Sequence, residues 1–115
     1  MDLNPNMIFV KDWEGNFILV NEAFTEFYGT TITNIIGKSD ESFNPNKEEV
    51  KHAIREDRQV METQEKKVAE EQFTNPTTNK THWFEIMRLP LLSSDGEARY
   101  VLGVCSDITK QRQAE

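Results

Sequence analysis

The side chains in this sequence that are best suited to chemistry are its single cysteine, Cys105, and its two histidines, His52 and His82. A nucleophilic thiolate needs a nearby base, and a third group usually orients that base. Cys105 and His82 lie on predicted strands that could be neighbours, but no orienting group accompanies them. The sequence also has no glycine-rich phosphate loop, no metal-spaced His/Cys set and no local nucleophile motif. We therefore predict that the chain is not an enzyme, and an enzyme that uses an internal cavity is the weaker alternative.

The composition of the 115-residue chain indicates one globular domain, since 37% of its residues are hydrophobic and 29% are charged. No apolar run approaches the about 20 residues that span a bilayer, and the start of the sequence lacks the features of a signal peptide. A single cysteine cannot form an internal disulfide bond, which is typical of proteins from reducing compartments. We therefore expect a cytoplasmic protein without direct membrane insertion.

The charge of the chain bears on its partners. A formal net charge of −7 argues against a nucleic-acid partner, because phosphate binding needs clustered Lys and Arg. The adjacent carboxylates Glu48 and Glu49, and likewise Glu70 and Glu71, are most simply interpreted as solvated faces. We expect them to contribute solubility.

The start of the chain predicts a β-hairpin followed by short helices. Residues 7–21 contain two apolar runs on either side of a glycine-containing turn, which is typical of a hairpin. The following residues change to helical spacing, with Asn21 as a candidate N-cap and Gly29 as the terminator. Residues 31–37 repeat this arrangement on a smaller scale. Helices this short are unstable alone, so we expect their aromatic faces to pack against the rest of the domain.

The remainder of the chain predicts one long helix and three strands. Residues 46–62 have the spacing of an amphipathic helix with one buried stripe. Residues 65–73 form a charged strand candidate that suits a sheet edge, and residues 80–92 and 99–108 are stronger strands joined by an Asp-Gly turn. This order of elements predicts an α+β fold with an antiparallel sheet rather than a doubly wound parallel one.

The chain resembles a PAS domain over nearly its whole length. The matching segments are FVKDWEGNFILVNEAFTEFYG near the start, EDRQVMET at the end of the long helix, HWFEIMRLPLLSSDGEARYVLGVCSDIT, and the closing KQRQAE. The resemblance implies an α+β fold in which a five-stranded antiparallel sheet cradles short helices between strands 2 and 3. It also implies a PAS sensor domain at residues 1–109 and the start of an output or linker helix at residues 110–115.

The same resemblance implies that the last strand passes a signal to an output helix. In PAS domains an Asp-Ile-Thr motif makes this connection, and here it corresponds to Asp107, Ile108 and Thr109. The residue types agree with this role, because Asp107 or Thr109 can cap the N-terminus of the outgoing helix. The alternative is an ordinary strand end with a frayed tail.

Resemblance to flavin-binding PAS relatives assigns one face of the sheet to a ligand pocket. Side chains alternate between the two faces along a regular strand, so every second residue shares a face. The candidate pocket residues on the strands are Phe84, Ile86, Val101 and Cys105, and their helical counterparts are Phe24, Tyr28, Ile36, Phe43, Val50 and Ile54. The alternative is that these side chains fill one another's space as a dry core.

The opposite face of the sheet carries too much apolar surface to lie in water without a partner. Its predicted residues are Trp83, Met87, Leu89, Leu102 and Val104. We expect a second copy of the domain to cover this face, which makes the protein a homodimer. An N-terminal helix that covers the same face is the alternative.

The resemblance does not extend to the cofactor sites of PAS domains. Haem-binding relatives carry the axial histidine nearer the start of the long helix, whereas His52 lies in its middle and is expected at the surface. Light-sensing flavin relatives carry a reactive cysteine among the short helices, whereas Cys105 lies on the last strand as a small buried residue. We therefore expect no haem, no flavin photochemistry and no metal, and the sequence does not identify another cofactor.

Together these features predict a sensory or regulatory module of a bacterial-type signal-transduction protein. The module would sense a small ligand or a partner and pass the signal through its last strand to a covalently linked output domain. By resemblance, that output domain is most often a histidine kinase or a diguanylate cyclase. The alternative is a ligand-free scaffold that aligns two output domains as a dimer.

Overall fold

The computed structural model describes residues 6–115, and residues 1–5, with which the predicted domain begins, lie outside this described part. The strands are β1 (Met7–Asp12), β2 (Phe17–Val20), β3 (Lys67–Thr74), β4 (Thr81–Leu92) and β5 (Arg99–Asp107). The helices are α1 (Glu22–Tyr28), α2 (Lys47–Thr63) and α3 (Thr109–Gln113), with two 3₁₀ turns (Ile32–Asn34 and Asp40–Ser42) between α1 and α2. None of the helices in the described residues is long and apolar enough to cross a membrane.

The strands form one antiparallel sheet in the order β2-β1-β5-β4-β3. The last strand, β5, is therefore central, and its Cys105 lies opposite Met7 of β1 and Ile86 of β4. The charged strand β3 lies at an edge, as the sequence predicts. The predicted α+β fold, with a five-stranded antiparallel sheet and helices between β2 and β3, is confirmed.

Local signals in the sequence determine where the helices begin and end. Asn21 caps α1 by accepting a hydrogen bond from the Phe24 N–H (3.2 Å). Gly29 ends the same helix with φ of 64°, in the left-handed region that favours glycine. Asn46 caps α2 by accepting from the Glu49 N–H (3.1 Å).

The predicted helix at residues 31–37 is only a single 3₁₀ turn at Ile32–Asn34. Thr31 precedes the turn but makes no side-chain cap. Most residues of this segment are β-branched, and such side chains crowd the preceding turn of an α-helix. The turn buries Ile35 completely, whereas its neighbour Ile36 is 36% exposed. The prediction of Ile36 as a pocket residue is therefore corrected, because the segment directs Ile35 into the core instead.

The buried stripe of α2 also differs from the prediction at one position. Its buried residues are Val50, Ala53, Asp57, Val60 and Met61. The predicted pocket residue Ile54 is 42% exposed. Ile54 follows Ala53 directly, and one residue rotates a side chain by about 100° around the helix axis. Ile54 therefore faces away from the core, which corrects its assignment to the pocket.

Aromatic rings fill the space between the inner face of the sheet and the short helices. Phe9, Phe17, Phe24, Tyr28 and Phe43 form contacts with ring centroids 4.8 to 6.1 Å apart. The Phe9 ring lies over Gly103 of β5, where an added Cβ would be 2.1 Å from the ring. Glycine at this position therefore lets the aromatic core approach the centre of the sheet.

Candidate functional site

A group of charged side chains is buried in the middle of the core. We call it the core charge cluster, and it consists of Lys11, Asp40, Asp57, Glu71 and Arg88. Lys11 of β1 donates hydrogen bonds to the carboxylates of Asp40 and Asp57. Arg88 of β4 donates to Asp57 (2.8 Å) and to Glu71 of β3. The cluster therefore joins α2 and the second 3₁₀ turn to three strands of the sheet.

Carboxylates outnumber cations in this cluster by three to two. Burial lowers the pKa of Lys11, but the adjacent Asp57 and Asp40 outweigh it and raise that pKa. Burial likewise opposes the charge of Arg88, and the carboxylates of Asp57 and Glu71 raise its pKa. Burial raises the pKa of Asp40, and Asp57 adds to this effect while Lys11 opposes it. Both cations are thus held charged, whereas burial and the neighbouring Asp57 favour the protonated form of Asp40.

His52 connects the core charge cluster to the surface. Its Nε2 atom lies 2.7 Å from Glu71 Oε1, and its Nδ1 atom lies 3.2 Å from a guanidinium nitrogen of Arg55. A guanidinium can only donate, so Nδ1 is the acceptor and Nε2 carries the proton that is donated to Glu71. The His52 side chain is 34% exposed. It is therefore a partly buried, hydrogen-bonded residue rather than the free surface histidine that the sequence suggests.

Among the described residues, one set has the ligand types and spacing that could hold a metal ion. The ligand atoms of His52, Glu56 and Glu71 lie within 4.8 Å of one another. Glu71 already pairs with Arg88, and Glu56 pairs with Lys67 at 2.7 Å. Because cations already neutralise both carboxylates, the set is a salt-bridge network and supports no metal assignment.

Little empty space is left between the cluster and the aromatic core, whereas a pocket of about 300 Å³ reaches Lys11 and Asp57 from the side of the β1–β2 turn. The cavity inside the core has a volume of about 30 Å³. Its lining includes the charged Lys11, Asp40 and Arg88 and three predicted pocket residues, Phe24, Ile86 and Cys105. This volume admits about one water molecule, whereas small-molecule sites usually enclose about 300 Å³ or more.

The other predicted pocket residues on the inner side lie in the surrounding core. Tyr28, Val50, Phe84 and Val101 are buried, and Phe43 is partly buried against them. Burial raises the pKa of the Cys105 thiol to about 12. A thiol that keeps its proton is a poor nucleophile. Cys105 is therefore a packing residue and not a reactive centre in this conformation.

Hydrogen bonds join the end of β5 to α3. Asp107 Oδ1 accepts from the Thr109 N–H (2.9 Å) and the Thr109 hydroxyl (2.6 Å). The Trp83 N–H donates to Thr109 Oγ1 (3.0 Å), and the Ile108 N–H donates to the Trp83 carbonyl (2.8 Å). His82 Nδ1 lies 2.8 Å from the other oxygen of Asp107. Burial opposes ionisation of Asp107, but hydrogen bonds from Thr109 and His82 outweigh it and lower its pKa.

The short helix α3 lies against the sheet at Trp83. The Arg112 guanidinium is 3.7 Å from the centroid of the Trp83 ring and also pairs with Glu70. Trp83, which the sequence assigns to the dimer face, is therefore partly covered by the chain's own C-terminal helix.

The outer face of the sheet carries a continuous apolar surface. It includes four of the predicted face residues, in the opposed pairs Met87–Val104 and Leu89–Leu102. Ile8 and Val10 of β1 extend it on the other side of β5. All six are only partly buried, and Val68 on β3 is 50% exposed. The structure thus brings these apolar residues to one side of the sheet.

The core charge cluster is the part of this site that the sequence-based prediction missed. A signal was present in the strand alternation, because Lys11 follows Phe9 by two residues and Arg88 follows Ile86 by two. Both cations therefore occupy inward positions. Asp57 likewise falls within the buried stripe of α2.

Comparison with known families gives one match over almost the whole chain. The sequence matches the family model described as PAS fold over residues 1–113. A search of curated proteins finds no match.

Solved structures with a similar fold include PAS domains of several bacterial proteins. The PAS domain of BvgS from Bordetella pertussis is 24% identical, with a TM-score of 0.80 over 96% of this chain and 82% of that chain. The PAS domain of a Colwellia psychrerythraea protein is 25% identical, with a TM-score of 0.73 over 95% and 91%. The VqmA dimer of Vibrio cholerae is 22% identical, with a TM-score of 0.82 over 93% of this chain and 48% of that chain. Because the PAS family model covers nearly the full sequence, the chain belongs to the PAS fold family.

Proposed function

We propose that this domain is a sensory or regulatory module of a multidomain signalling protein, and that its signal leaves through β5. The observation that carries this proposal is the position of β5, which pairs with β1 and β4 and ends at Asp107. The Asp107 side chain accepts from the N–H and the hydroxyl of Thr109, the first residue of α3. A displacement in the middle of the sheet is therefore passed to the start of α3. In this proposal residues 1–109 are the sensor and residues 110–115 begin the output helix.

Substitution of Asp107 by alanine tests this path. Without the Asp107 carboxylate, the N–H and the hydroxyl of Thr109 both lose their acceptor. Loss of such a bond at a helix N-terminus typically costs about 1 kcal/mol of stability. We expect amide hydrogen exchange at Trp83 and Ile108 to become about five-fold faster, because both amides bond across this junction. Asp95→Ala, on the exposed turn before β5, is the matched control. Equal exchange in the two variants contradicts the proposed path.

The proposed output domain is a histidine kinase or a diguanylate cyclase, by resemblance to PAS domains of such proteins. A DNA-binding output is the second candidate, since structures of VqmA describe a LuxR-type receptor and its complex with DNA. We place the module in the cytoplasm, which is consistent with a single, buried, unpaired cysteine.

We also propose that two copies of the domain pair through the outer face of the sheet. Trp83, Met87, Leu89, Leu102 and Val104 supply partly exposed apolar surface there. A contiguous surface of this kind is unfavourable in water, and a twofold contact of the face with itself would bury it. A helix that precedes β1 is the alternative cover.

For the input, the closed core favours a domain that works without a bound small molecule. The cavity of about 30 Å³ is walled partly by Lys11, Asp40 and Arg88. A molecule larger than water would have to displace packed apolar side chains or separate buried ion pairs, and both changes are costly in a closely packed core. The dimer partner or an attached domain is then the source of the signal.

A sensor for a small ligand is the second candidate for the input. One structure of VqmA is described as bound to DPO, and a ligand of this chain would contact inner-face residues such as Phe24 and Ile86. Native mass spectrometry of freshly purified protein separates the two candidates. An extra mass that is lost on denaturation supports the ligand sensor, and the apo mass alone supports the ligand-free module.

A further inference from the structure

The edge strand β3 leaves backbone groups unpaired on the side away from β4. The Thr74 N–H donates to the side chain of Glu49 (3.0 Å), whereas the next residue, Asn75, donates across the hairpin to Lys80 (2.9 Å). Backbone groups of an antiparallel strand alternate in this way between the two sides. Thr74 therefore belongs to the set of residues whose backbone faces the free edge.

Three further residues of β3 share this orientation. Val68, Glu70 and Gln72 precede Thr74 in steps of two, and the pairing with β4 has no register shift between them. All three are exposed. Their N–H and C=O groups therefore point to the open side of the strand, where they form a template for another strand.

An acidic groove with a volume of about 570 Å³ lies beside this edge. Its walls carry Glu48 and Glu49 of α2 and Glu70 and Glu71 of β3. Arg112 and Arg88 already pair with Glu70 and Glu71, so the charge that is not neutralised lies on the α2 wall, at Glu48 and Glu49. Glu48 is the most accessible carboxylate, with a side chain that is 87% exposed and a nearest cation, Lys51, at 3.9 Å. The groove therefore attracts a positively charged partner.

We propose that the free edge of β3 binds an extended basic segment of a partner protein by strand addition. The backbone of the segment pairs with Val68, Glu70 and Gln72. Alternate side chains of an added strand point to opposite faces, so basic residues on one face meet the acidic wall of α2. Apolar residues on the other face meet Val68, which is 50% exposed. The site lies at the edge of the sheet and meets the outer face at Val68 and Trp83.

A second copy of this chain is a poor occupant of the same edge. Two such edges would bring two acidic grooves together, and opposed like charges are destabilising. The charge of the groove thus selects a basic segment and disfavours self-association through β3.

Synthetic peptides test the proposal with the full 115-residue chain. The probe is a short acetylated and amidated peptide of alternating lysine and valine, and the matched control peptide replaces lysine with glutamate. By titration calorimetry we expect the lysine peptide to bind at least about ten-fold more tightly, with a strong dependence on salt. If the lysine peptide does not bind, or both bind equally, the proposal is overturned.

Two variants separate strand addition from general attraction to an acidic protein. Glu48→Lys should weaken binding about ten-fold, whereas Glu14→Lys makes the same change of net charge on the exposed β1–β2 turn and should have little effect. Gln72→Pro removes an edge N–H without removing a bond to β4, so binding should be lost while the fold is retained.

The peptide side of the interface gives an independent measurement if Gln72→Pro does not fold. N-methylation of every second residue of the lysine peptide blocks its backbone donors on one side at a time, and one of the two methylated forms should lose binding. Equal effects of the Glu48 and Glu14 variants, or full binding by both methylated forms, would show attraction without strand addition and overturn the proposal.

Discussion

At the scale of single residues, the core depends on charges that balance one another. Asp57 is 3% exposed and accepts from both Lys11 and Arg88, so it is the one carboxylate shared by the two cations. Each ion has lost its water, and its stability comes from its partners. Removing one partner therefore costs more than the pair contributes, because a buried charge is left uncompensated.

The Asp57→Ala variant should lose about 3 to 5 kcal/mol of unfolding free energy, because it leaves both Lys11 and Arg88 short of a carboxylate. Urea unfolding at neutral pH measures the loss. Glu62→Ala, at an exposed position of the same helix, should change stability by less than about 0.5 kcal/mol. Similar values for the two variants would contradict the role assigned to Asp57.

The buried thiol and ammonium predict a loss of stability in alkali. Burial raises the pKa of Cys105 from 9.0 to about 12, and the carboxylates next to Lys11 outweigh its burial and raise its pKa above 10.5. The folded chain thus binds both protons more tightly than the unfolded chain does. Stability from such groups is complete below the unfolded pKa and is lost as the pH rises through the folded pKa.

We expect the free energy of unfolding to fall above pH 9.0, by about 1 kcal/mol per pH unit for each titrating group. Burial also raises the pKa of Tyr28 above its unfolded value of 10.0, and Lys11 contributes only above 10.5. Cys105→Ala should therefore flatten the fall between pH 9.0 and 10.0, where neither group yet contributes. Urea unfolding across this range measures both slopes. The same slope with and without the thiol would contradict the assignment.

At the scale of elements, the junction between β5 and α3 is the feature on which the proposed signalling path depends. A five-residue helix is not stable alone. Here α3 is held by the hydrogen bond from the Thr109 N–H to Asp107 and by the contact of Arg112 with Trp83 and Glu70. Docking of α3 therefore reports the state of β4 at Trp83.

The Arg112→Gln variant should release α3 from Trp83. The stacked guanidinium and the partly exposed ion pair contribute about 1 to 2 kcal/mol together, which is a factor of about 5 to 30 in the docking equilibrium. We expect the NMR resonance of the Trp83 indole to move and the helical shifts of residues 109–113 to decrease. Lys110→Gln, which removes the same charge from the same helix, is the control, and an equal response from it would contradict the docking contact.

At the scale of the whole molecule, the two faces of the sheet differ in how far they are covered. The inner face is closed by aromatic rings and by the core charge cluster, whereas the outer face is apolar and only partly covered by α3. The proposed dimer uses this outer face, and the proposed peptide site uses the edge of β3. Both proposed contacts would leave the core closed.

The Leu102→Glu variant tests the outer face as a dimer contact. Its carboxylate lies in the middle of the apolar surface, opposite Leu89 and Val10, and burying it in a dimer is unfavourable. We expect the parent chain to sediment as a dimer at about tens of micromolar and the variant as a monomer. Ile54→Glu, on the exposed side of α2, should leave the dimer intact. A monomeric parent chain under these conditions would contradict the dimer.

Much of this fold follows from patterns that are local in the sequence. Alternation along the strands separates inward Phe84 and Ile86 from outward Met87 and Leu89, and capping residues such as Asn21 mark where helices begin. These patterns depend on backbone periods of about two and 3.6 residues, which act over neighbouring positions. They are sufficient for the order of elements and the antiparallel sheet, whereas the PAS family came from the resemblance of whole segments of the sequence.

Tertiary structure alone decided which of the inward-facing side chains contact one another. Lys11 meets a carboxylate 46 residues away, and Arg88 meets one 31 residues away. The periods that place these charges inward carry no information on which of them will meet. That pairing depends on how separate elements pack in space. The same is true of the small cavity between the charges and the aromatic core, and of the exposed positions of Ile36 and Ile54. Packing is set by the shapes and charges of residues from the whole chain, and for this reason it becomes defined only when the elements come together.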